Sequence, residues 1–371
     1  MYDVCIVGAG PAGSTLARLI GDRYRVLLVD RRRLDEPPAF GGREKPCGGL
    51  LAPKAQRELA RQGLGLPGSV VVGPQLFAVR TLDLALGLER TYQRFYVNVD
   101  RELFDRWLVS LLPASVDTAF GYRVSGLEVG PEDSLLRLVT ERGGRAGVAA
   151  RLVVGADGAL SIVRRLAYGD WPQPARYAAV QAAFGSAGGD PFYGAVFDRS
   201  LTDFYGWTIP KGGVTLVGLA VLPGAGTRAT FKAFVSRVRD AGFYVGPELS
   251  RESTMVVRPR SSRELLCGSG GVALVGEAAG FVSPSSAEGI SYALRSARLL
   301  AGALEPGVQG STERYRASAL PLRADIAARI AKSQAIYSTP TRRLLMRSGI
   351  GAIQRPADGA RQVPSADALG F

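Results

Sequence analysis

The chain has 371 residues, of which 46% are hydrophobic and 21% are charged. This composition suits one large globular domain or two interleaved ones. The formal net charge is +13, but the excess is almost entirely arginine spread along the chain, without a helix-turn-helix or RNA-binding signature. We therefore expect no nucleic-acid partner, because an anionic substrate or membrane surface would account for the charge equally well.

The sequence contains no histidine. Ser-His-Asp triads, Cys-His dyads and histidine-ligated metals are thereby excluded, and we expect no metal site. Proton transfer must use Cys, Tyr, Lys, Asp, Glu, ordered water or a cofactor. The three cysteines, Cys5, Cys47 and Cys267, are too few for a disulfide framework. With no apolar run of about 18 residues and no signal peptide, we expect a cytoplasmic protein.

The first residues, MYDVCIVGAGPAGS, predict a strand over 4–7 that runs directly into a helix. Between them lie Gly8, Gly10 and Gly13, which allow a tight turn, close approach to a pyrophosphate and close helix–strand packing. Pro11 and Ala12, within the glycine turn, are expected at the cofactor as well, and the N-terminus of the helix behind the turn favours an anion. A second strand over 25–29 ends at Asp30 and Arg31, where a carboxylate can accept ribose hydroxyls. The pattern predicts a dinucleotide site.

Farther along the chain, the apolar spacing predicts helices over 53–62, 100–108, 227–241 and 288–304,. Strands are predicted near 70–79, 94–97, 122–129, 135–140 and 151–154, and alternating, antiparallel-type strands over 177–184, 205–209 and 214–221,. A last apolar strand covers 272–275. This order predicts an α/β fold, in which a Rossmann-like dinucleotide-binding domain is interrupted by a mostly antiparallel β-sheet domain.

We place the dinucleotide-binding domain at 1–70, 98–172 and 256–310, and the substrate domain at 71–97 and 173–255. C-terminal helices are predicted over 311–350 and a loose tail over 351–371. The segment 311–349 carries eight basic residues against Glu313 and Asp325. A solvated helical face is the favoured interpretation, and peripheral contact with the inner face of an anionic membrane is the alternative.

Two later segments complete a pattern with the opening glycines. They are Gly155-Ala156-Asp157-Gly158, followed by ALSIVRR, and Gly276-Glu277-Ala278-Ala279-Gly280, followed by Pro284 and Gly289. The three motifs together resemble the FAD-dependent group that includes aromatic hydroxylases, geranylgeranyl reductases and flavin-dependent halogenases. The resemblance implies that the dinucleotide is FAD.

The resemblance also implies positions for individual residues along FAD. Ala156, Asp157 and Gly158 would lie near the pyrophosphate, and Gly276, Glu277 and Gly280 near the ribityl chain or phosphates. Glu277 stands where the family usually has Asp. Arg101 resembles the family arginine that contacts FAD. Pro284, Gly289 and Ile290 are expected beside the flavin. The helix over 288–304 would point its positive end at the isoalloxazine and stabilise the anionic reduced flavin.

Two further segments resemble those of geranylgeranyl reductases. Lys45-Pro46-Cys47-Gly48-Gly49 resembles the segment that places a cysteine near the flavin, so Cys47, Gly48 and Gly49 are expected there. Tyr205-Gly206-Trp207-Thr208-Ile209-Pro210, with Gly218-Leu219-Ala220 after it, resembles the substrate-cavity motif of the reductases. Ile209 replaces a Phe of that motif, and Ala220 replaces a Gly. Cys47, Tyr205 and Trp207 are the candidate catalytic residues.

The stretch from Tyr205 to Pro210 also resembles the WxWxIP motif of flavin-dependent halogenases. However, none of the lysines lies in a context that matches the halogenase catalytic lysine. They are Lys45, Lys54, Lys211, Lys232 and Lys332.

The leading hypothesis is a geranylgeranyl-reductase-like enzyme in which reduced FAD delivers hydride to a C=C bond of an apolar, isoprenoid-type substrate. Cys47, Tyr205 or water would supply the proton. One alternative is an FAD-dependent monooxygenase or halogenase that acts on an aromatic substrate through a C4a-(hydro)peroxyflavin. Another is an electron-transfer flavoprotein. The external electron donor stays open between NAD(P)H, ferredoxin and another flavin.

Overall fold

The computed structural model describes residues 1–37, 46–186 and 191–353. Lys45 and residues 354–371 of the predicted tail lie outside the described residues. The helices are α1 (Pro11–Ile20), α2 (Pro53–Arg61), α3 (Arg101–Ser110), α4 (Ile162–Ala167), α5 (Thr227–Asp240), α6 (Ile290–Leu304), α7 (Ser311–Ser318), α8 (Leu320–Tyr337) and α9 (Thr339–Ser348).

The strands form two sheets. In chain order they are β1 (Tyr2–Val7), β2 (Val26–Asp30), β3 (Leu50–Leu51), β4 (Leu76–Asp83), β5 (Leu88–Asn98), β6 (Asp117–Phe120), β7 (Tyr122–Val129), β8 (Ser134–Thr140), β9 (Arg145–Gly155), β10 (Ala175–Gly185), β11 (Tyr193–Phe197), β12 (Gly206–Lys211), β13 (Val214–Val221), β14 (Glu248–Arg258), β15 (Gly268–Ser269) and β16 (Val272–Leu274).

The first sheet is centred on parallel strands in the order β16–β9–β1–β2–β6, and the β7–β8 hairpin pairs with β9. Val4 on β1 pairs with Val26 on β2 and Leu152 on β9. The whole of β2 is buried, as is typical of a parallel strand covered on both faces. Helices α1 and α6 pack against each other and contribute Leu16 and Leu300 to this core.

The second sheet has the order β14–β10–β13–β12–β11–β4–β5–β3, and its pairs are antiparallel except for β4 with β11. Helix α5 buries Phe231, Phe234 and Val238 in one core with Val217 and Leu219 of β13. The predicted fold class, a Rossmann-like domain interrupted by a mostly antiparallel sheet and followed by helices, is confirmed. The predicted residue bounds of the two domains stay a prediction.

The predicted strand over 70–79 is wrong in its first half. Gly68–Val70 forms a short 3-10 turn, and β4 begins only at Leu76. Pro74 lies between them, and a proline cannot donate a backbone hydrogen bond to a neighbouring strand. By contrast, β9 is longer than the predicted strand. It begins at Arg145, because its exposed first half pairs with β8.

The C-terminal helices join parts of the chain that are distant in sequence. Asp325 on α8 accepts hydrogen bonds from Lys54 of α2 at 3.0 Å and from Tyr292 of α6 at 2.7 Å. Burial opposes ionisation, but these bonds and the nearby Arg329 lower the pKa of Asp325 to about 2. Next along the chain, Arg342 on α9 donates to Asp83 on β4 at 2.6 Å, with both side chains almost fully buried.

We expect Arg342→Ala to lower the free energy of unfolding by about 3–5 kcal/mol, because it leaves the Asp83 carboxylate buried without its cation. Urea unfolding followed by circular dichroism measures the loss. The matched control is Arg251→Ala, which breaks a half-exposed pair with Glu248 and should cost less than about 1 kcal/mol. Equal losses in the two variants would contradict the role given to the buried pair.

Candidate functional site

The glycine turn after β1 has the geometry of a phosphate-binding loop. Gly8 has a φ of +104°, and a Cβ there would lie 2.5 Å from the carbonyl oxygen of Ala156. A Cβ on Gly13 would lie 1.8 Å from the carbonyl oxygen of Gly8, whereas one on Gly10 would meet no atom within 4 Å. No side chain caps the N-terminus of α1, which Pro11 begins. The first turn of α1 thus has no side-chain cap, and the space beside Gly10 is open, which fits a pyrophosphate,.

A cleft of about 480 Å³ opens over this turn, within the size range of ligand sites. Eight of the predicted cofactor residues line it: Gly8, Gly10, Asp30, Arg31, Ala156, Asp157, Gly158 and Glu277. Sequence reasoning missed other lining residues, which come from the end of β2, from the start of β7 and from β14. They include Arg32, Tyr122, Arg123, Val124, Ser253, Thr254 and Met255. The cleft therefore lies between the first sheet and the far edge of the second.

Asp30 is held firmly at one end of the cleft. Its carboxylate accepts from the backbone N–H of Ala9 at 2.7 Å and of Arg32 at 2.8 Å. The Arg32 guanidinium adds two more bonds, at 3.2 and 3.0 Å. Since a carboxylate has about four acceptor sites, a ribose hydroxyl at Asp30 has to share a site with one of these donors.

A chain of alternating charges runs from Asp30 to Cys47. Arg32 also donates to Asp105 at 3.0 Å, and Asp105, which is fully buried, accepts from Arg101 at 2.9 Å. Arg101 in turn lies 3.4 Å from the Cys47 sulfur. Burial works against the charge on Arg101, but Asp105 and Cys47 together outweigh burial and raise the pKa of the guanidinium. The contact of Arg101 with FAD stays a prediction.

Asp157 and Glu277 direct their carboxylates to the protein itself. Asp157 accepts from the Ser161 hydroxyl at 2.5 Å and the Ile162 N–H at 2.7 Å, and thereby caps α4. Burial raises the pKa of Asp157, against the effect of these bonds. Glu277 accepts from the Val257 N–H of β14 at 3.0 Å. A glutamate at this position therefore ties the third motif to the second sheet.

The other residues predicted around the first and third motifs lie beneath the cleft. Gly276 donates its N–H to the Ser296 hydroxyl at 2.9 Å, and a Cβ there would lie 3.2 Å from that of Ala12. Gly280 ends the short turn of the third motif with a φ of +77°. Gly276 therefore lets α1 and α6 pack closely, whereas a Cβ on Gly280 would lie 3.1 Å from the carbonyl oxygen of Glu264.

The cysteine segment packs on the Tyr205–Pro210 strand, as the two motif resemblances require if they describe one site. A Cβ on Gly48 would lie 2.5 Å from Cδ1 of Ile209. Gly49, with a φ of +64°, leaves room for the Lys211 ammonium, which donates to the carbonyl of Val99 at 2.5 Å. The Cys47 sulfur, half-buried, accepts from the Gly49 N–H at 3.5 Å.

Tyr205 and Trp207 are both hydrogen-bonded. The Tyr205 hydroxyl donates to the carbonyl of Ser286 at 2.8 Å and accepts from the Tyr193 hydroxyl at 3.3 Å. Burial raises the pKa of Tyr205 above its ordinary value. The Trp207 indole donates to Gln181 at 2.9 Å. A Cβ on Gly218, its cross-strand neighbour, would lie 2.1 Å from the indole, which explains the glycine after the aromatic strand.

An arginine holds the loop that leads into α6. Arg258 donates to the carbonyl of Pro284 at 3.2 Å and stacks on the rings of Tyr337, at 4.1 Å, and Phe204, at 4.6 Å. Such stacking is favourable for a guanidinium. The α6 loop, the aromatic strand and the end of α8 are therefore joined at this point.

An acid caps the N-terminus of α6. That this helix end points at the flavin stays a prediction. Glu288 accepts from the Ser291 N–H at 2.7 Å and from the Ser291 hydroxyl at 2.6 Å. Its carboxylate therefore occupies part of the helix end beside Gly289 and Ile290. Burial raises the pKa of Glu288, against the effect of the bonds from Ser291. Sequence reasoning missed Glu288, although an acid just before a helix is a typical signal.

The sequence and the fold of this chain resemble those of known proteins. No family model matches the chain. It is 38% identical to Protein CbrA of Escherichia coli O6:H1 over 358 residues, which are 96% of each chain. It is similarly 38% identical to Protein CbrA of Shigella sonnei, covering 96% of this chain and 99% of the relative. The chain belongs to the CbrA family.

Solved structures resemble the fold of this CbrA-family chain. A geranylgeranyl bacteriochlorophyll reductase-like protein from Thermoplasma acidophilum matches 92% of the chain and 89% of its own length, with a TM-score of 0.75 and 18% identity. PqsL from Pseudomonas aeruginosa, a probable FAD-dependent monooxygenase, matches 94% and 99%, with a TM-score of 0.67 and 19% identity.

The flavin-dependent halogenase CmlS matches 96% of the chain and 68% of its own length, with a TM-score of 0.65 and 18% identity. The resemblance to the group of reductases, hydroxylases and halogenases is confirmed at the level of the fold.

The three glycines of the first motif should respond differently to substitution. We expect Gly10→Ala to weaken binding of FAD about tenfold or more and to leave the thermal midpoint of the FAD-free protein unchanged, because the added methyl enters the open cleft. Gly13→Ala should lower both, since its methyl would clash with Gly8,. Flavin fluorescence titration and thermal unfolding measure the two effects.

Gly302→Ala is the control, because Gly302 lies on α6 with no atom within 4 Å of its added Cβ. It should keep full affinity for FAD. Unaltered FAD binding by Gly10→Ala would contradict the assignment of the cleft.

Proposed function

We propose that this protein is an FAD-dependent oxidoreductase. The cleft over the glycine turn supports this function, since its open helix N-terminus and fixed acid at Asp30 suit a dinucleotide. The residues that would hold FAD are those of the turn, Asp30, Arg31 and the backbone of 156–158, with Glu277 beside them. Bound FAD would supply two-electron redox chemistry that the side chains of this chain cannot perform themselves.

For the reaction, we propose reduction of a C=C bond in an apolar, isoprenoid-type substrate. The observation that carries this proposal is the packing of the Cys47 segment onto the Tyr205–Pro210 strand, beside the α6 loop. The rings of Tyr96 and Tyr193 lie 5.9 Å apart, and those of Tyr205 and Trp207 lie 5.8 Å apart. These rings and Ile209 form a largely apolar cluster next to a thiol and a phenol, in which Tyr205 and Ile209 are themselves buried.

The atoms of this reduction balance with one hydride and one proton. The hydride goes to one carbon of the double bond, and an acid of the protein, or water, protonates the other. Tyr205 keeps its proton because burial raises its pKa. Cys47 lies beside the Arg101 guanidinium, and a neighbouring cation favours the thiolate. The two candidate acids therefore differ in the pH at which each loses its proton.

Anaerobic mixing of the reduced, FAD-loaded protein with farnesol, geranylgeraniol or longer polyprenols tests the reaction. We expect flavin reoxidation with at least one of these alcohols and a product heavier by two hydrogens in mass spectrometry. Absence of reoxidation by all of them would count decisively against the isoprenoid reductase.

The second candidate is a monooxygenase or halogenase that acts on an aromatic substrate. The cluster of aromatic rings around Tyr205, which includes Tyr193, Phe204 and Trp207, favours this candidate, because offset stacking stabilises planar ligands,. PqsL, one of the structural neighbours, has been crystallised with 2-aminobenzoylacetate. A product that forms only when oxygen is admitted would support this candidate. Reduction of a protein partner without any small-molecule turnover would instead support an electron-transfer flavoprotein.

We expect Cys47→Ser to lower the rate of substrate reduction about 100-fold or more if the thiol donates the proton, the typical contribution of an acid catalyst. The control is Cys267→Ala, which removes a buried thiol of the first core and should keep the wild-type rate. Stopped-flow measurement of flavin reoxidation under anaerobic conditions gives both rates. A Cys47→Ser rate equal to that of the control would remove Cys47 from the mechanism.

The pH profile separates the two acids. An acid catalyst is lost as the pH rises through its pKa, so a rate that depends on Tyr205 should stay flat up to about pH 10, the ordinary tyrosine value. A rate that depends on Cys47 should fall at a lower pH than one that depends on Tyr205, because the ordinary cysteine pKa of about 8.5 lies below that of tyrosine. Tyr205→Phe should strongly lower the rate if Tyr205 is the acid. It should leave the rate and its pH dependence unchanged if Cys47 is the acid. The electron donor, a nicotinamide or a ferredoxin, stays a separate proposal.

A further inference from the structure

The basic residues of the C-terminal segment do not form one exposed face. Arg314 donates to the carbonyls of Ala303 and Gly307, and Arg329 pairs with Asp325. Arg342 is buried against Asp83. These arginines have partners within the fold. Part of the positive charge predicted for the C-terminal helices therefore does not lie on an exposed face. A different surface stands out at the end of the segment.

Helix α9 and the residues after it expose apolar side chains away from the protein. Arg342 and Met346 face inward, whereas Leu344 is 70% and Leu345 43% exposed. Just beyond the helix, Ile350 is 76% and Ile353 47% exposed. Single exposed apolar residues are ordinary, but four within ten positions of one short segment mark an interaction surface.

The charge of this segment has one sign. Arg343 and Arg347 are exposed, and at about 100° per residue both lie on one flank of the outward-facing Leu344, with Leu345 on the other flank. Residues 338–353 contain no Asp or Glu. A surface of leucine and isoleucine flanked only by arginine is the pattern of helices that lie in the interface of an anionic bilayer.

We propose that α9 with residues 349–353, here called the α9 surface, docks on an anionic phospholipid bilayer. Charge complementarity selects this occupant, because negative headgroups attract arginine while the acyl region accepts leucine and isoleucine. A second copy of the chain, paired face to face, would bring Arg343 and Arg347 against their own counterparts. None of the helices in the described residues is long and apolar enough to cross a membrane, so the contact is peripheral.

The α9 surface lies close in sequence to the aromatic rings around Tyr205. Tyr337, two residues before α9, packs its ring on Phe204 and Phe197 and donates to the carbonyl of Ser285. Membrane docking would therefore hold this side of the molecule near the lipid. The docking itself does not depend on the proposed reaction, because it is measured without substrate.

Vesicle co-sedimentation of the full chain tests the α9 surface. The vesicles are phosphatidylcholine alone, or phosphatidylcholine with about 30% phosphatidylglycerol. We expect binding to the anionic vesicles only, weakened by added salt. Leu344→Ser with Leu345→Ser should lower the partition coefficient about tenfold. Arg343→Gln with Arg347→Gln should lower it about tenfold or more, since each arginine near such a surface contributes roughly a fivefold factor.

Two double variants serve as controls. Leu222→Ser with Leu249→Ser removes leucines that are 56% and 61% exposed, the second on β14 at the opposite edge of the second sheet. Arg142→Gln with Arg145→Gln removes two exposed charges, one in the turn after β8 and one on the first residue of β9. Both should bind anionic vesicles like the wild type. Since all altered side chains are exposed, thermal unfolding should show intact folding in every variant.

Several outcomes would overturn the proposal. They are absence of binding by the wild type, equal binding to neutral vesicles, and equal losses in the α9 and control variants. Sedimentation velocity adds a fourth: if the leucine variant converts a dimer to a monomer, a second copy of the chain is the occupant. Failure of the polyprenol assay would leave the vesicle result unaffected, so the two proposals fail separately.

Discussion

The buried ion chain Asp30–Arg32–Asp105–Arg101 is the interaction on which the rest of the site depends. Two carboxylates and two guanidinium groups alternate with hydrogen-bond distances of 3.0, 3.0 and 2.9 Å between neighbours. Removing charges from water is costly, and only close opposite charges with good geometry offset that cost. These ion pairs join β2, α3 and the Cys47 segment. The acid at the cleft and the thiol at the aromatic strand therefore share one framework. Loss of Asp105 would leave Arg101 buried without its carboxylate, whereas Arg32 would keep Asp30.

The sequence could predict those parts of the site that depend on local geometry. Gly8, Gly10 and Gly13 meet separate steric demands within one turn, and their spacing is sufficient to recognise them. The same holds for Gly218, whose lack of a side chain makes room for Trp207 across the strands. The opposite case is the run 70–79, where apolar composition favoured a strand but Pro74 prevents one. Local pattern succeeds where one residue's backbone or volume decides the outcome.

The sequence could not predict partners that only the tertiary fold brings together. Arg32 and Asp105 are 73 positions apart, and Arg342 and Asp83 are 259 apart. Nothing in their spacing distinguishes them from solvated surface charges. For the same reason, counting arginines over 311–349 overestimated the basic surface, because Arg314, Arg329 and Arg342 have internal partners. A net charge of +13 therefore says little about partners until each guanidinium has been located.

The end of α6 shows how one overlooked residue changes an electrostatic argument. A helix N-terminus with free N–H groups carries roughly half a positive charge and stabilises a nearby anion. Here Glu288 already accepts the Ser291 N–H, so its carboxylate cancels part of that charge when it is ionised. Burial raises the pKa of Glu288, while Arg329 and Lys54 act in the opposite direction. The charge that α6 presents to its surroundings therefore depends on the protonation of Glu288 as well as on the helix dipole.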